Sequence, residues 1–147
     1  MKRITSWLNP ESDIAGDGMQ LYTALLVIGS AGFSGHGIQQ SLVHIPEAQT
    51  DFIFAVIATD YGFVGGFTTV ALIVTLDVVL LKIGLDSTNN KDKFFTMGIF
   101  GLLLFQQIWN IGMILGLLPI TGITLPFISY GGSSLLSYMI AIGMFLN

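Results

Sequence analysis

Two long, uninterrupted apolar stretches, residues 61–83 and 94–118, constrain this chain more than any other feature. Each exceeds the roughly 20 residues that a helix needs to cross about 30 Å of hydrocarbon. In that medium every backbone N–H and C=O must find its partner inside the protein, which favours helices. Both stretches are therefore expected to be transmembrane helices. The polar link between them, 84–93, carries Asp86, Asn89, Asn90, Lys91, Asp92 and Lys93. With Lys82 it holds three of the chain's five basic residues, so the positive-inside rule makes it cytoplasmic. Lys2 and Arg3 then fall on the opposite side. A third apolar run, within 135–147, stops at Asn147 before it could cross, so a truncated last helix and a longer parent protein are expected.

Composition agrees. Charged residues make up 10% of the chain, against about 25% in soluble domains. A net charge of −4 without a basic stripe argues against nucleic acid as a partner. The absence of cysteine excludes disulfides, thiolate catalysis and Cys-ligated zinc. The expected class is an all-α integral membrane protein, a polytopic helical bundle of which this chain supplies the C-terminal part.

Residues 1–60 read as one large external loop. Within it, 19–33 is apolar but too short to span comfortably, and 52–58 is shorter still, bracketed by Asp51 and Asp60. Both are expected as short helices lying in or dipping into the interface. Irregular backbone at that depth is tolerated where protein covers it or a wet cavity adjoins it.

Three groups of residues could carry chemistry. Asp51 precedes an apolar helix in the segment Pro46-Glu47-Ala48-Gln49-Thr50-Asp51-Phe52. Thr50 or Asp51 suits a helix N-cap, and a carboxylate between an apolar helix and a wet loop also suits a general base. The second group is the non-helical segment 119–134, whose prolines and glycines cannot continue a helix. It ends in Gly131-Gly132-Ser133-Ser134, either a plain capped turn or an anion cradle of backbone amides and hydroxyls. The third is polarity within the spans. Gln106 and Asn110 share a helix face, and Gly112 with Gly116 has small-xxx-small spacing; both are expected to serve interhelical packing. Asp77, less than two turns from the cytoplasmic end of its helix, is an intramembrane acid that either reaches the headgroups, pairs with a helix outside this chain, or forms part of a site. No metal site can be assigned: His44 and Glu47 are separated by Pro46, which spoils a metal-binding helical face.

Taken together, Trp7-Leu8-Asn9-Pro10, Pro46-Glu47-Ala48-Gln49-Thr50-Asp51-Phe52-Ile53-Phe54-Ala55, Asn110-Ile111-Gly112-Met113 and Leu125-Pro126-Phe127-Ile128-Ser129-Tyr130-Gly131-Gly132-Ser133-Ser134 resemble the signatures of the SEDS family, the RodA/FtsW/SpoVE-like proteins, in the family's order. The resemblance covers essentially the entire chain, and Asn110 to Met113 leans toward the elongation (RodA-like) branch. It implies a peptidoglycan glycosyltransferase of the bacterial cytoplasmic membrane, polymerising lipid II on the outer side of that membrane in partnership with a class B penicillin-binding protein. The family's essential aspartate matches Asp51. Glu47, Asp60, Gly131, Gly132, Ser133 and Ser134 are then expected around the substrate. Thr59 departs from the pattern, standing where the family usually has an acid.

The implied chemistry needs little. Lipid II carries its sugar on pyrophosphate, already a good leaving group, so a base for the attacking hydroxyl and positive potential near the pyrophosphate suffice. A divalent cation is compatible with that requirement. An α-linked donor becoming a β-linked chain is an inversion, achieved by one carboxylate and a direct displacement. A lipid II transporter or a non-catalytic scaffold for the transpeptidase would use the same residues differently, and polymer formation by the full-length protein separates the enzyme from both. The 147 residues alone are expected to be inactive. The charge pattern also predicts sidedness: a single cysteine at Thr88 should react with an impermeant thiol reagent only from the cytoplasm, and one at Ser41 only from outside. Labelling of both from one side would overturn the assignment.

Overall fold

The computed structural model describes residues 17–37 and 49–146, and every regular element among them is helical. The helices are α1 (Asp17–Ser30), α2 (Ile53–Asp60), α3 (Gly62–Asp86), α4 (Asn90–Ile114) and α5 (Gly132–Leu146). The two longest, α3 and α4, have 25 residues each, about 37 Å at 1.5 Å per residue. Both are long and apolar enough to cross a membrane. Threonines inside the spans leave no stray donor in the apolar surroundings: Thr68, Thr69 and Thr75 each donate to the carbonyl four residues back, at 2.7, 2.9 and 2.7 Å.

The polar link is tighter than the hydropathy pattern suggests. Helix α3 runs on to Asp86, and Asn89 starts α4 by accepting the Lys91 N–H at 3.1 Å. Residues 87–89 alone join the spans, so α3 and α4 pack antiparallel. On α3 the buried positions are Gly62, Gly66, Thr69, Ile73, Asp77, Leu80 and Gly84. Their spacings of three and four keep them on one face of the helix, as in a coiled-coil-like seam. Near the link the two backbones approach closely: a Cβ at Gly84 would stand 2.5 Å from Thr96 Cγ2.

Helix α4 ends at Ile114, short of the apolar run's end. Gly116 adopts φ 75°. The Leu117 N–H donates to the Gly112 carbonyl at 2.8 Å and the Gly116 N–H to that of Met113 at 3.1 Å, which is the Schellman pattern. A Cβ at Gly112 would lie 2.8 Å from Leu118 Cδ1. The expectation that Gly112 and Gly116 form an interhelical small-xxx-small pair is therefore corrected. Gly116 is not helical, and both glycines build the end of α4.

Helices α1 and α2 cover the same end of the α3–α4 pair. Leu21 and Ala24 of α1, Phe54 and Ala55 of α2, Ile73 of α3, and Met113 and Ile114 of α4 form one buried cluster with Phe52, Ile120 and Leu125 from the connecting segments. Helix α2 begins at Ile53 with Phe52 at the N-cap and no side-chain capping bond there. Thr50 and Asp51, expected as N-cap candidates, lie one step earlier, in the turn.

A backbone-on-backbone junction locks the break between α2 and α3. The His36 and Gly37 N–H groups donate to the Thr59 and Asp60 carbonyls, and the Phe63 N–H donates to that of Gly32, all at 3.0–3.1 Å. Gly62 has φ 64°, and a Cβ on it would collide with the Gly35 nitrogen and stand 2.6 Å from the Phe33 carbonyl oxygen. Gly62→Ala is expected to destabilise the protein by about 1–3 kcal/mol, since it combines a left-handed backbone with a clash against main chain. A lowered thermal midpoint of the purified full-length protein would show it, and an unchanged midpoint would contradict the tight junction.

Candidate functional site

The site is made where two irregular segments meet. One is the turn 49–52 that leads into α2. The other is 115–131, between α4 and α5. Proline and glycine keep the second segment out of helix, so its polar backbone needs other partners. Within it the Ser129 hydroxyl accepts the Leu125 N–H at 2.7 Å, and the Ser129 N–H donates to the Leu125 carbonyl at 3.0 Å. The Thr121 N–H points at the Met113 sulfur, 3.4 Å away. Ile120, Leu125 and Pro126 are buried and anchor the segment. Phe127 holds φ 65°, a conformation rare for a bulky residue, which marks functional sites more often than ordinary loops. Its ring packs against Tyr138 of α5, with centroids 5.3 Å apart.

The two segments are joined directly. The Tyr130 N–H donates to the Gln49 carbonyl at 2.9 Å. Asn110, fully buried on α4, donates through Nδ2 to the Asp51 carbonyl at 2.9 Å and to the Ile123 carbonyl at 2.6 Å. Among the described residues its own Oδ1 is buried without a partner, so the amide is turned to serve the two carbonyls. The half-buried Asp51 carboxylate lies against Gly122, where a Cβ would stand 3.2 Å from Oδ2. Beside this junction a recess of about 440 Å³ is lined by Gln49 and Ile53, which flank Asp51, and by Phe127, Tyr130, Gly131 and Gly132 among others.

The candidate residues thus separate into groups. Gly131 and Gly132 line the recess, and Asp51 lies in the adjoining turn with its carboxylate against Gly122. Ser133 and Ser134 lie in the first turn of α5, Ser133 exposed and Ser134 half-buried with its hydroxyl close to Gly131. Asp60 stands at the opposite end of α2, about 12 Å along the helix by its rise, and does not share the recess. Glu47 lies outside the described residues. Thr59 is buried, and its hydroxyl donates to the Ala55 carbonyl at 2.7 Å. It is thus satisfied within its own helix and supplies no charge. Among the described residues no three His, Asp or Glu side chains gather, so these offer no cation cage.

The polar residues within the spans sort differently from their spacing. Gln106 faces α5, accepting the Tyr138 hydroxyl at 2.7 Å. Asn110 reaches the two loops instead, a role its helical spacing gave no reason to expect. Gly122, Gln49 and Tyr130 were not legible as site residues either, because their contributions are backbone contacts.

Such a fold and site define an all-helical membrane protein whose candidate chemistry sits in loops at one end of a helix pair. A sequence profile described as "Cell cycle protein", joining FtsW, RodA and SpoVE, matches residues 1–147, and the chain belongs to this family. It is 44% identical to stage V sporulation protein E of Bacillus subtilis over 154 residues, covering 100% of this chain and 41% of that protein. It is 41% identical to a "Probable peptidoglycan glycosyltransferase FtsW" of Coxiella burnetii, again covering 100% of this chain and 41% of the relative. The chain therefore spans about two fifths of the length of these curated relatives. Among solved structures it resembles a chain from a peptidoglycan synthase complex that coordinates polymerisation and crosslinking, with a TM-score of 0.81 at 32% identity over 99% of this chain and 40% of the other. It also resembles a variant of the rod shape determining protein RodA from Thermus thermophilus, with a TM-score of 0.66 at 39% identity over 84% of this chain and 38% of the other. Matches spread across the SpoVE, FtsW and RodA branches, so the leaning toward elongation rests on residues Asn110 to Met113 alone.

Asp77 has a structural explanation. It is buried on α3, and Gln107 of α4, buried as well, donates to its Oδ1 at 3.1 Å. Gln107→Leu should leave the carboxyl without this donor and cost about 1–3 kcal/mol, while adding Asp77→Leu should recover most of the loss. Thermal unfolding of the single and double variants checks this. A double variant no more stable than Gln107→Leu alone would argue that Asp77 has a further partner.

Proposed function

We propose that the full-length protein is a peptidoglycan glycosyltransferase that polymerises lipid II, a multi-pass protein of the bacterial cytoplasmic membrane. In this reading the 87–89 link faces the cytoplasm and the 49–52 and 115–131 segments face outward. A class B penicillin-binding protein is its proposed partner. The reading is carried by the Tyr130–Gln49 backbone bond of 2.9 Å, which draws the start of α5 onto the turn that bears Asp51. The start of α5 and the two neighbours of Asp51, Gln49 and Ile53, line one recess. This places a helix N-terminus near the turn that carries a carboxylate, the two features that a displacement at a pyrophosphate-linked sugar requires.

Asp51 takes the proton from the acceptor sugar's hydroxyl as that oxygen attacks the anomeric carbon of the donor. The new C–O bond forms on the face opposite the bond to pyrophosphate. That bond breaks, and the polyprenyl pyrophosphate leaves with its electron pair. Gly131 and Gly132, with the Ser133 and Ser134 hydroxyls, face the departing anion, where the positive end of α5 favours negative charge. One inverting displacement gives the β-linked strand.

Asp51→Asn tests the base. The substitution is isosteric and retains the backbone carbonyl that Asn110 holds, but it removes the proton acceptor. In the full-length protein, gel-resolved polymer formation should fall by about 10²- to 10⁴-fold, while thermal stability and lipid II binding persist. Near-normal polymer would remove Asp51 from the role.

A further inference from the structure

The Asp51 carboxylate belongs to a turn, and a turn by itself holds a side chain loosely. Productive proton transfer requires the acceptor within hydrogen-bond reach of one particular hydroxyl, and a misplacement of about 1 Å can cost about 10²-fold. Something rigid should therefore fix Asp51, and α4 is the rigid element closest to hand.

We propose that Asn110 is a positioning residue for Asp51, with Gly122 as the other wall of the same device. The inference rests on the reading of Asp51 as the base. The two N–H bonds of one carboxamide are both used, one on the Asp51 carbonyl at 2.9 Å and one on the Ile123 carbonyl at 2.6 Å. The first fixes the peptide group attached to the Asp51 Cα. The second fixes the peptide between Ile123 and Thr124, one residue beyond Gly122, whose missing side chain leaves the space that Oδ2 faces. The carboxylate is thereby located between a bolt and a wall, both referred to one transmembrane helix. Asn110 cannot act on substrate itself, since it is fully buried. The amide has no freedom to flip, because its oxygen would then oppose two carbonyl oxygens.

A purely structural Asn110 would lower stability, and any loss of rate would be independent of Asp51. A positioning Asn110 acts through Asp51, so its contribution should vanish once the carboxylate is gone. The test uses the full-length protein with Asn110→Leu, Gly122→Ala, Asp51→Asn and the two double variants that contain Asp51→Asn. Asn110→Leu removes both donated bonds at similar volume. Gly122→Ala leaves Asn110 intact and crowds the carboxylate. Because Gly122 holds φ 75°, the substitution also strains the backbone, so its kcat loss counts only where thermal unfolding and lipid II binding stay near the parent values. Polymerisation kinetics on lipid II are read together with lipid II binding and thermal unfolding.

Each of Asn110→Leu and Gly122→Ala should lower kcat by about 10²-fold, with KM within about threefold of the parent. Neither should add more than about threefold to the loss caused by Asp51→Asn. Folded Asn110→Leu protein with a normal kcat would overturn the inference, and so would losses that multiply with that of Asp51→Asn. If Asn110→Leu does not fold, Gly122→Ala decides by the same criteria. A near-normal rate for Asp51→Asn alone withdraws the base assignment, and this inference with it. Multiplying losses instead leave that assignment standing.

Discussion

A single carboxamide ties together the two irregular segments at one end of the α3–α4 pair. Nonhelical backbone beside a bilayer brings carbonyls that water does not reach, and each needs a donor. Asn110 supplies two donors from inside α4, and by choosing carbonyls on different segments it makes them neighbours. The Tyr130–Gln49 bond and the shared burial of Phe52, Ile120 and Leu125 join the same two segments. An apolar residue at this position would leave two main-chain oxygens orphaned, each at a cost of about 1–3 kcal/mol. The same requirement that satisfies the backbone thus ties the turn bearing the candidate acid to the segment that leads into α5.

The helix pair below is built to keep that arrangement steady. The α3 seam carries small residues toward its ends, Gly62, Gly66 and Gly84, and larger ones, Ile73, Asp77 and Leu80, between them. At the far end Gly84 lets Thr96 approach to a distance that any side chain would forbid. Asp77 and Gln107 pair near the middle. Small residues and a matched polar pair are how helices associate where burial from water supplies little force. The Phe33, Phe63 and Phe67 rings, stacked at 5.9 and 6.2 Å and exposed, lie outside this seam.

Much of this was legible in the residues, and the exceptions have a common cause. Residues 61–83 and 94–118 announced the spans because hydrophobic length is a property of each segment alone. Asp51 was singled out by its position before an apolar helix and by the resemblance, and the structure places it at the meeting of the two loops. Its role as cap was misjudged by one residue, since Phe52 begins the helix without side-chain help. Gly112 and Gly116 were misread because a four-residue spacing has meaning only where the helix continues, and it stops at Ile114. Gln106 and Asn110 share a spacing but serve different partners, Tyr138 and two carbonyls. What a polar side chain will touch depends on residues far away in sequence, and no local pattern encodes that.

The Schellman stop at Gly116 turns α4 into a gauge. Between Asn89, where the helix is capped, and Gly116, where it is arrested, the number of residues sets both the depth and the azimuth of Asn110. One residue gained or lost between the cap and Asn110 would swing the carboxamide by about 100° and shift it by about 1.5 Å, out of reach of both carbonyls. No side chain would have changed, yet the two loops would lose their common reference. The residue count between Asn89 and Asn110 is therefore as tightly constrained as any side chain in the segments that the carboxamide joins.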